Sequence, residues 1–361
     1  MFFNTLKHIL IALLLYVGLL VILIFEPFQG GLVYLNWLNF PAKSLLSDPT
    51  NFTIHKDLEV FNFYIQSEGY KLGVYHFIPK SVKTNLLLKL NNTINDEDIN
   101  QQKFFETSLL DENLPIILFL HGNAGNRASS VRYPSYIDLS LNLHTQVLVL
   151  DYRGFGDSEG KPSEVGLFMD SLSLWKFLIK KGVKQSQITI MGHSLGTGVA
   201  SKLTKYLNDK SISPKSLVLS APYTSIPDAM YEYKLFRVVP LLYPVMFSPW
   251  LKNKVSPLIN HPFDTKKIIK SIKSPTLILH GEKDDLIPVK HGIQLKDEVL
   301  VNESKDIKKV DWKFEKEEAV GEYFRLKDRK LAFIKVKNAT HDSIPLFQMY
   351  SKGILKFWEN L

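Results

Sequence analysis

Ile188-Thr-Ile-Met-Gly-His-Ser-Leu-Gly-Thr-Gly198 joins two kinds of pattern within eleven residues. Ile188 to Met191 are apolar or β-favouring and run into Gly192-His193-Ser194-Leu195-Gly196, a G-x-S-x-G pattern. From Leu195 to about Leu207 the chain reads as helix. Strand, sharp turn, helix is the setting that presents a serine as a nucleophile. At such a turn the serine takes a strained backbone conformation, and flanking glycines let strand and helix approach without Cβ clashes. The strain lifts the Ser194 hydroxyl clear of the sheet, above the N-terminus of the following helix. Gly198 offers that helix a second close-packing position. A bare G-x-S-x-G recurs by chance, so its weight comes from the neighbouring segments.

Upstream, Pro115 to Leu120 reads as a buried strand and ends in His121-Gly122-Asn123-Ala124-Gly125-Asn126. Small residues there leave backbone N–H groups unobstructed, as an oxyanion hole demands. In the strand–elbow arrangement one donor comes from this loop and the other from the residue after the nucleophile. The backbone N–H groups of Asn123 and Leu195 are therefore assigned. Val131 to Leu143 reads as helix and Val147 to Tyr152 as strand. The Gly-rich loop Arg153 to Ser158 braces the site, with Asp151 and Asp157 structural. Ser163 to Gly182 carries apolar residues at helical spacing, with Ser163 as its cap. Ser216 to Ala221 is a further short strand.

Downstream, Pro222 to Phe263 is crowded with proline and aromatics, among them Tyr223, Phe236, Phe247 and Trp250. Lying between two strands, residues 222–265 read as a lid over the nucleophile, and its composition favours an acyl chain as substrate. The rival reading of these aromatics is plain core packing. Pro275 to His280 is a strand ending in Gly281-Glu-Lys-Asp284-Asp285, and a histidine-orienting acid belongs just beyond such a strand end. Asp284, four residues before Pro288, is the first choice and Asp285 the alternative. Leu331 to Lys337 is the last strand. His341 follows it, whereas His121, His193 and His280 lie beside the motif loops and read as structural. The order Ser194, Asp284, His341 is serine, acid, histidine. In it His341 takes the serine proton and delivers it to the leaving group, while Asp284 fixes the imidazole tautomer. No metal or organic cofactor is required. Ile344 to Leu361 reads as a helix with Leu346, Met349, Ile354 and Phe357 on its apolar face.

The flanks are of different character. Ile9 to Phe25 is an apolar run interrupted only by Tyr16 and Gly18. With Phe2 and Phe3 it approaches the about 20 residues of a spanning helix. Glu26-Pro-Phe-Gln29 offers no small-x-small cleavage site, which favours an uncleaved anchor over a signal peptide. Lys7 and His8 precede the run and the next lysine is Lys43, so residues 1–8 are expected in the cytosol and the remainder across the membrane. Within residues 26–59, Phe28 to Phe40 reads as a segment lying along the interface. Val60 to Gln66 and Lys71 to Pro79 form a hairpin pattern around Ser67-Glu-Gly-Tyr70. Residues 81–113 and 296–330 are polar or charged and read as insertions in a domain spanning 60–361.

The 361 residues include 45% hydrophobic and 12% aromatic residues, enough for a substantial core. The net charge of +8 comes from scattered lysines, without a basic block interleaved with aromatics, which argues against nucleic acid as a partner. The absence of cysteine excludes disulfides, thiolate metal sites and a cysteine nucleophile.

Five stretches carry a resemblance: His121-Gly-Asn-Ala-Gly125, Asp151-Tyr-Arg-Gly-Phe-Gly-Asp-Ser158, Gly192-His-Ser-Leu-Gly-Thr-Gly-Val-Ala200, Ser220-Ala-Pro-Tyr-Thr-Ser225 and His280-Gly-Glu-Lys-Asp284, followed by His341. With them the chain resembles α/β-hydrolase-fold serine hydrolases. It is most similar to the membrane-anchored lysophosphatidylserine and monoacylglycerol lipases of eukaryotes. The resemblance implies a mostly parallel eight-stranded sheet with helices on both faces, and a lipid substrate drawn from the bilayer. It also implies an endoplasmic-reticulum protein with a lumenal catalytic domain. Asn51, Asn91, Asn302 and Asn338 begin N-x-Ser/Thr sequons, acceptors of glycan only in the lumen. Asn338 stands three residues before His341, where a glycan would crowd the site, so it is expected to stay unmodified.

The activity expected is ester hydrolysis of a lysophospholipid or monoacylglycerol through an acyl-enzyme on Ser194. A thioesterase, an acyltransferase or a lipid-anchor deacylase would use the same three residues. A non-catalytic membrane scaffold on this fold would ordinarily have lost the serine or the histidine.

Overall fold

Ile116–Leu120 and Ile188–His193 lie side by side in parallel, Leu118 opposite Ile190, and their apolar residues are buried without alternation. Strands buried this way are covered on both faces. In chain order the strands are β1 (Leu58–Ser67), β2 (Tyr70–Pro79), β3 (Ile116–Leu120), β4 (Gln146–Leu150), β5 (Ile188–His193), β6 (Ser216–Ser220), β7 (Lys234–Leu235), β8 (Val239–Pro240), β9 (Thr276–Gly281), β10 (Lys308–Lys313), β11 (Ala319–Arg325) and β12 (Lys330–Val336). This computed structural model describes residues 2–22, 25–52, 55–82, 101–235, 239–240, 242, 245, 247–301, 307–314 and 318–361.

Ten strands form one sheet in the order β1-β2-β4-β3-β5-β6-β9-β12-β11-β10, and β7 and β8 pair separately. The six central strands from β4 to β12 run parallel, with antiparallel pairs at both ends. Alternate strand residues feed two cores. Leu118, Leu148 and Ile190 pack with helices Glu164–Lys180 and Leu195–Asp209. Ile117, Val149 and Met191 pack with helices Tyr133–Asn142 and Met349–Glu359. Ser163 caps its helix as expected, its Oγ accepting from Gly166 N–H.

The sheet is mixed and has ten strands where eight were expected. The additional antiparallel pair, β10 and β11, comes from the charged stretch 296–330 read as a surface insertion. Five of the six β10 residues are exposed, so the strand carries no buried apolar run to announce it. In the 81–113 stretch, Gln101–Leu109 is a helix that buries Phe104 against Ile78 and Leu114; residues 83–100 lie outside the described residues. Leu346 is 68% exposed because Pro345 holds Ile344–Leu346 in a single 3₁₀ turn and the helix starts only at Met349.

Phe2–Ile22 forms one 21-residue helix. Among the described residues no helix is long and apolar enough to cross a membrane. A second helix, Glu26–Tyr34, returns to the domain: Val33 and Tyr34 are buried, and Gln29 donates to the carbonyl of Leu258 and accepts from Asn260 N–H. Trp37, Leu38 and Phe40 beyond it are exposed.

Candidate active site

Ser194 lies at the C-terminal end of β5, with φ 51° and ψ −121°, and the helix Leu195–Asp209 starts at the next residue. The left-handed φ is the strain expected of a serine at this turn. The glycines permit it: a Cβ on Gly192 would lie 2.3 Å from the Gly196 carbonyl oxygen, and one on Gly196 would lie 1.9 Å from that of Leu120.

Two loops from neighbouring parallel strands approach from the other side. After β9, Glu282 and Lys283 N–H groups donate to the carbonyls of Val336 and Ala339, both at 2.9 Å. That lacing binds the loop bearing Asp284 to the loop bearing His341. It needs Gly281, whose Cβ would stand 2.4 Å from the Ala339 carbonyl oxygen. Asp284 Oδ2 accepts from His341 Nδ1 at 2.8 Å, which leaves Nε2 as the acceptor of the Ser194 hydroxyl at 2.9 Å. Asp284 Oδ1 accepts from the N–H groups of Leu286 and Ile287. Of the two acids that sequence left open, Asp284 is buried against the histidine and Asp285 is exposed.

The electrostatics follow from this packing. Burial alone would raise the Asp284 carboxyl, but hydrogen bonds with His280 and His341 hold it well below the usual carboxylate range. Burial works against a charged His341, yet the hydrogen bond and charge of Asp284 raise it above the ordinary histidine value. His193 is driven far below that value by burial first, then by His341 and Arg132, so it stays neutral. His193, His341 and Asp342 bring their donor atoms within 4.8 Å of one another. Both ring nitrogens of His341 are already engaged, so no lone pair of that ring is left for a metal.

The loop after β3 lies against the serine: a Cβ on Gly122 would be 3.2 Å from Ser194 Cβ. Neither Asn123 N–H nor Leu195 N–H has an acceptor among the described residues. Behind this loop, wholly buried Arg127 bonds to Asp151 and Asp157, which ties it to the segment running into the loop Arg153 to Ser158.

Ser194 opens into a cleft of about 340 Å³, near the lower end of the ligand-pocket range. Its walls are mainly apolar, among them Leu32, Leu35, Val131, Met230 and Leu286. Tyr223 lines it too, with its hydroxyl donating to the Leu195 carbonyl. Phe247 and Trp250, expected on the substrate side of a lid, do not line it and are each 67% exposed. The lid-region residues that do line it are Tyr223, Tyr233 and, from the helix Ile226–Glu232, Ile226, Ala229 and Met230. Phe236 lies outside the described residues. Sequence reading missed Leu32, Val33 and Leu35, which reach the cleft from the N-terminal segment.

Residues 115–247 match a family model described as the alpha/beta hydrolase fold. The chain is 34% identical over 308 residues to lysophosphatidylserine lipase ABHD12 of Danio rerio, covering 84% of this chain and 74% of that one. It is 34% identical over 295 residues to the protein of the same name from Xenopus tropicalis, covering 81% and 71%. To protein ABHD12B of Homo sapiens it is 33% identical over 279 residues, covering 75% and 70%. Among solved structures, an alpha-beta hydrolase from Vibrio vulnificus matches with TM-score 0.54 at 19% identity, over 83% of this chain and 81% of that one. An esterase from Pyrococcus furiosus matches with TM-score 0.52 at 17% identity, over 84% and 91%. These structural likenesses speak to the fold.

Proposed function

We propose a function from one premise: the chain belongs to the lysophosphatidylserine lipase family of α/β-hydrolase-fold serine hydrolases. It is a carboxyl ester hydrolase of the EC 3.1.1 type, and its relatives support a lysophospholipid as the ester. We infer further that it is membrane-anchored and cleaves monoacyl lipids, lysophospholipid or monoacylglycerol, with Ser194, His341 and Asp284 as the catalytic residues.

The observation that carries this reading is the unbroken relay Asp284–His341–Ser194, with steps of 2.8 and 2.9 Å, at the base of an apolar cleft. In the reaction, His341 Nε2 takes the Ser194 proton as Oγ attacks the ester carbonyl. The tetrahedral oxyanion is held by the N–H groups of Asn123 and Leu195. His341 then protonates the leaving glycerol oxygen, and the acyl chain stays on Ser194. Water, deprotonated by the same imidazole, releases the fatty acid.

The anchor assigned to residues 9–25 is supported by the apolar run and by the exposure of Leu10, Leu14, Leu15, Val17 and Val21. The proposed topology has residues 1–8 in the cytosol and the domain 60–361 in the lumen of the endoplasmic reticulum, with Asn338 free of glycan.

The test is to label membranes carrying the full chain with a fluorophosphonate probe, and to assay lysophosphatidylserine and monoacylglycerol hydrolysis in parallel. Labelling and hydrolysis should both be lost in Ser194→Ala. Labelling that persists in the variant would place the nucleophile elsewhere. Release of the protein from membranes by alkaline carbonate would sink the anchor.

A further inference from the structure

Arg132 donates to four backbone carbonyls in the loop that follows β3. Its Nη2 reaches the oxygens of Gly122 (3.1 Å), Asn123 (2.7 Å) and Ala124 (2.7 Å), and Nη1 reaches that of Asn126 (3.0 Å). Among the described residues no carboxylate pairs with it, although it lines the cleft. A cation on that wall is thus held by carbonyl oxygens instead of a counter-ion.

In a trans peptide the C=O and the next N–H point in opposite directions. Turning the carbonyls of residues 122, 123 and 124 toward one guanidinium therefore turns the amides of 123, 124 and 125 away from it. Two of those amides are taken by a strap from the N-terminal segment. Ala124 N–H donates to the Tyr34 carbonyl at 2.9 Å, and Gly125 N–H to that of Leu38 at 2.7 Å. The buried Asn126 side chain ties the same strap down, donating to Asn39 Oδ1 and to the Pro41 carbonyl, both at 2.8 Å. The third amide, Asn123 N–H, keeps no acceptor among the described residues.

We propose that Arg132 is the positioning residue of the oxyanion hole: clamping the loop's carbonyls on one side, with the strap 34–41 on the other, it leaves the Asn123 amide aimed at the reacting carbonyl. This rests on the reading of Asn123 N–H as an oxyanion donor. The loop needs such restraint because Ala124 and Gly125 both hold left-handed φ of 56°, a conformation an alanine rarely keeps unsupported. It follows that the segment after the apolar helix belongs to the catalytic machinery and is not a passive linker.

The test uses the full chain in detergent micelles with p-nitrophenyl butyrate as substrate, comparing wild type, Arg132→Gln, Arg132→Lys and Asn39→Ala. A misplaced catalytic group costs on the order of 100-fold, so kcat of Arg132→Gln should fall by about that factor with KM within about twofold. Fluorophosphonate labelling of Ser194 should slow in step, because the phosphoryl oxygen uses the same donors. Arg132→Lys should recover little, since one ammonium cannot replace a planar fork across four carbonyls. Asn39→Ala should show the same kcat-only signature at roughly tenfold. The acid limb of the pH profile should not move, because His341 and Asp284 are untouched.

A kcat within threefold of wild type in Arg132→Gln would overturn the proposal, as would a rise in KM with kcat preserved. Should Arg132→Gln fail to fold, Asn39→Ala decides on the same criteria. Loss of the triad reading would appear separately, as a wild type that the probe does not label or a Ser194→Ala variant that it does.

Discussion

Asp284 Oδ2 lies 2.8 Å from His341 Nδ1, while the neighbouring Asp285 is exposed and does not line the cleft. The backbone lacing between their two loops sets that distance, so the pair is part of the scaffold before any substrate arrives. Asp284→Asn should lower kcat by roughly 10³- to 10⁴-fold, because an amide cannot hold the imidazole tautomer that accepts a proton at Nε2. Asp285→Asn should stay within about twofold of wild type, since exposed charges contribute little. Steady-state kinetics of the two variants on one soluble ester reads the contrast directly.

The pH profile should carry the same signature. His341 must be neutral to take the Ser194 proton, and Asp284 raises it above the ordinary value of 6.5. Activity is therefore present at high pH and lost as pH falls through a value above 6.5. Removing the carboxylate in Asp284→Asn should move that limb toward lower pH. A profile of kcat/KM from pH 5 to 9 is the measurement, and a limb below pH 6 in wild type would contradict the geometry.

At the elbow the constraint is steric. Gly196→Ala, in the first turn of the helix Leu195–Asp209, would set a Cβ 1.9 Å from the Leu120 carbonyl oxygen at the end of β3, and the obstacle is buried backbone. Overpacking ordinarily costs about 1–3 kcal/mol, and a backbone obstacle puts this change at the upper end or beyond. Urea unfolding should report the loss, accompanied by a drop in activity beyond what the unfolded fraction explains.

In the cleft, Met230 is half-buried on the helix Ile226–Glu232 and faces the space in front of Ser194. Met230→Trp should shorten the channel open to an acyl chain. Hydrolysis of a long-chain monoacylglycerol is expected to fall more than about tenfold, with butyrate esters changed by less than about threefold. Equal loss on both chain lengths would mean that the acyl group lies elsewhere.

The turn at Ser194, the loop after β3 and the places of Asp284 and His341 could be read from sequence for a common reason. Each follows a short strand whose apolar residues are buried without alternation, and such strands stand out against their loops. β10 and β11 did not: the edge strand β10 is exposed at five of its six residues, and β11 beside it mixes buried and exposed residues, so neither shows an unbroken apolar run. The strap was hidden differently. Its decisive contacts are the carbonyls of Tyr34 and Leu38, and a carbonyl is the same in every residue. Aromatic composition did not say which of residues 222–265 meet the cleft: Tyr223 lines it, whereas Phe247 and Trp250 are exposed. Composition counts side chains without saying where the backbone turns them.

The outermost strand of the sheet has a bearing on how many copies of this protein can share a small volume. Every sheet must stop, and its final strand offers unpaired amides and carbonyls that another chain could adopt as a template. β10 reads Lys308-Lys-Val-Asp-Trp-Lys313, and Lys308, Lys309 and Lys313 are all exposed. Lys309 is paired with Asp311 and Glu322, but two copies meeting along this edge would bring Lys308 and Lys313 together before any strand pairing formed. Like charge is thus built into this rim and opposes edge-to-edge pairing between copies.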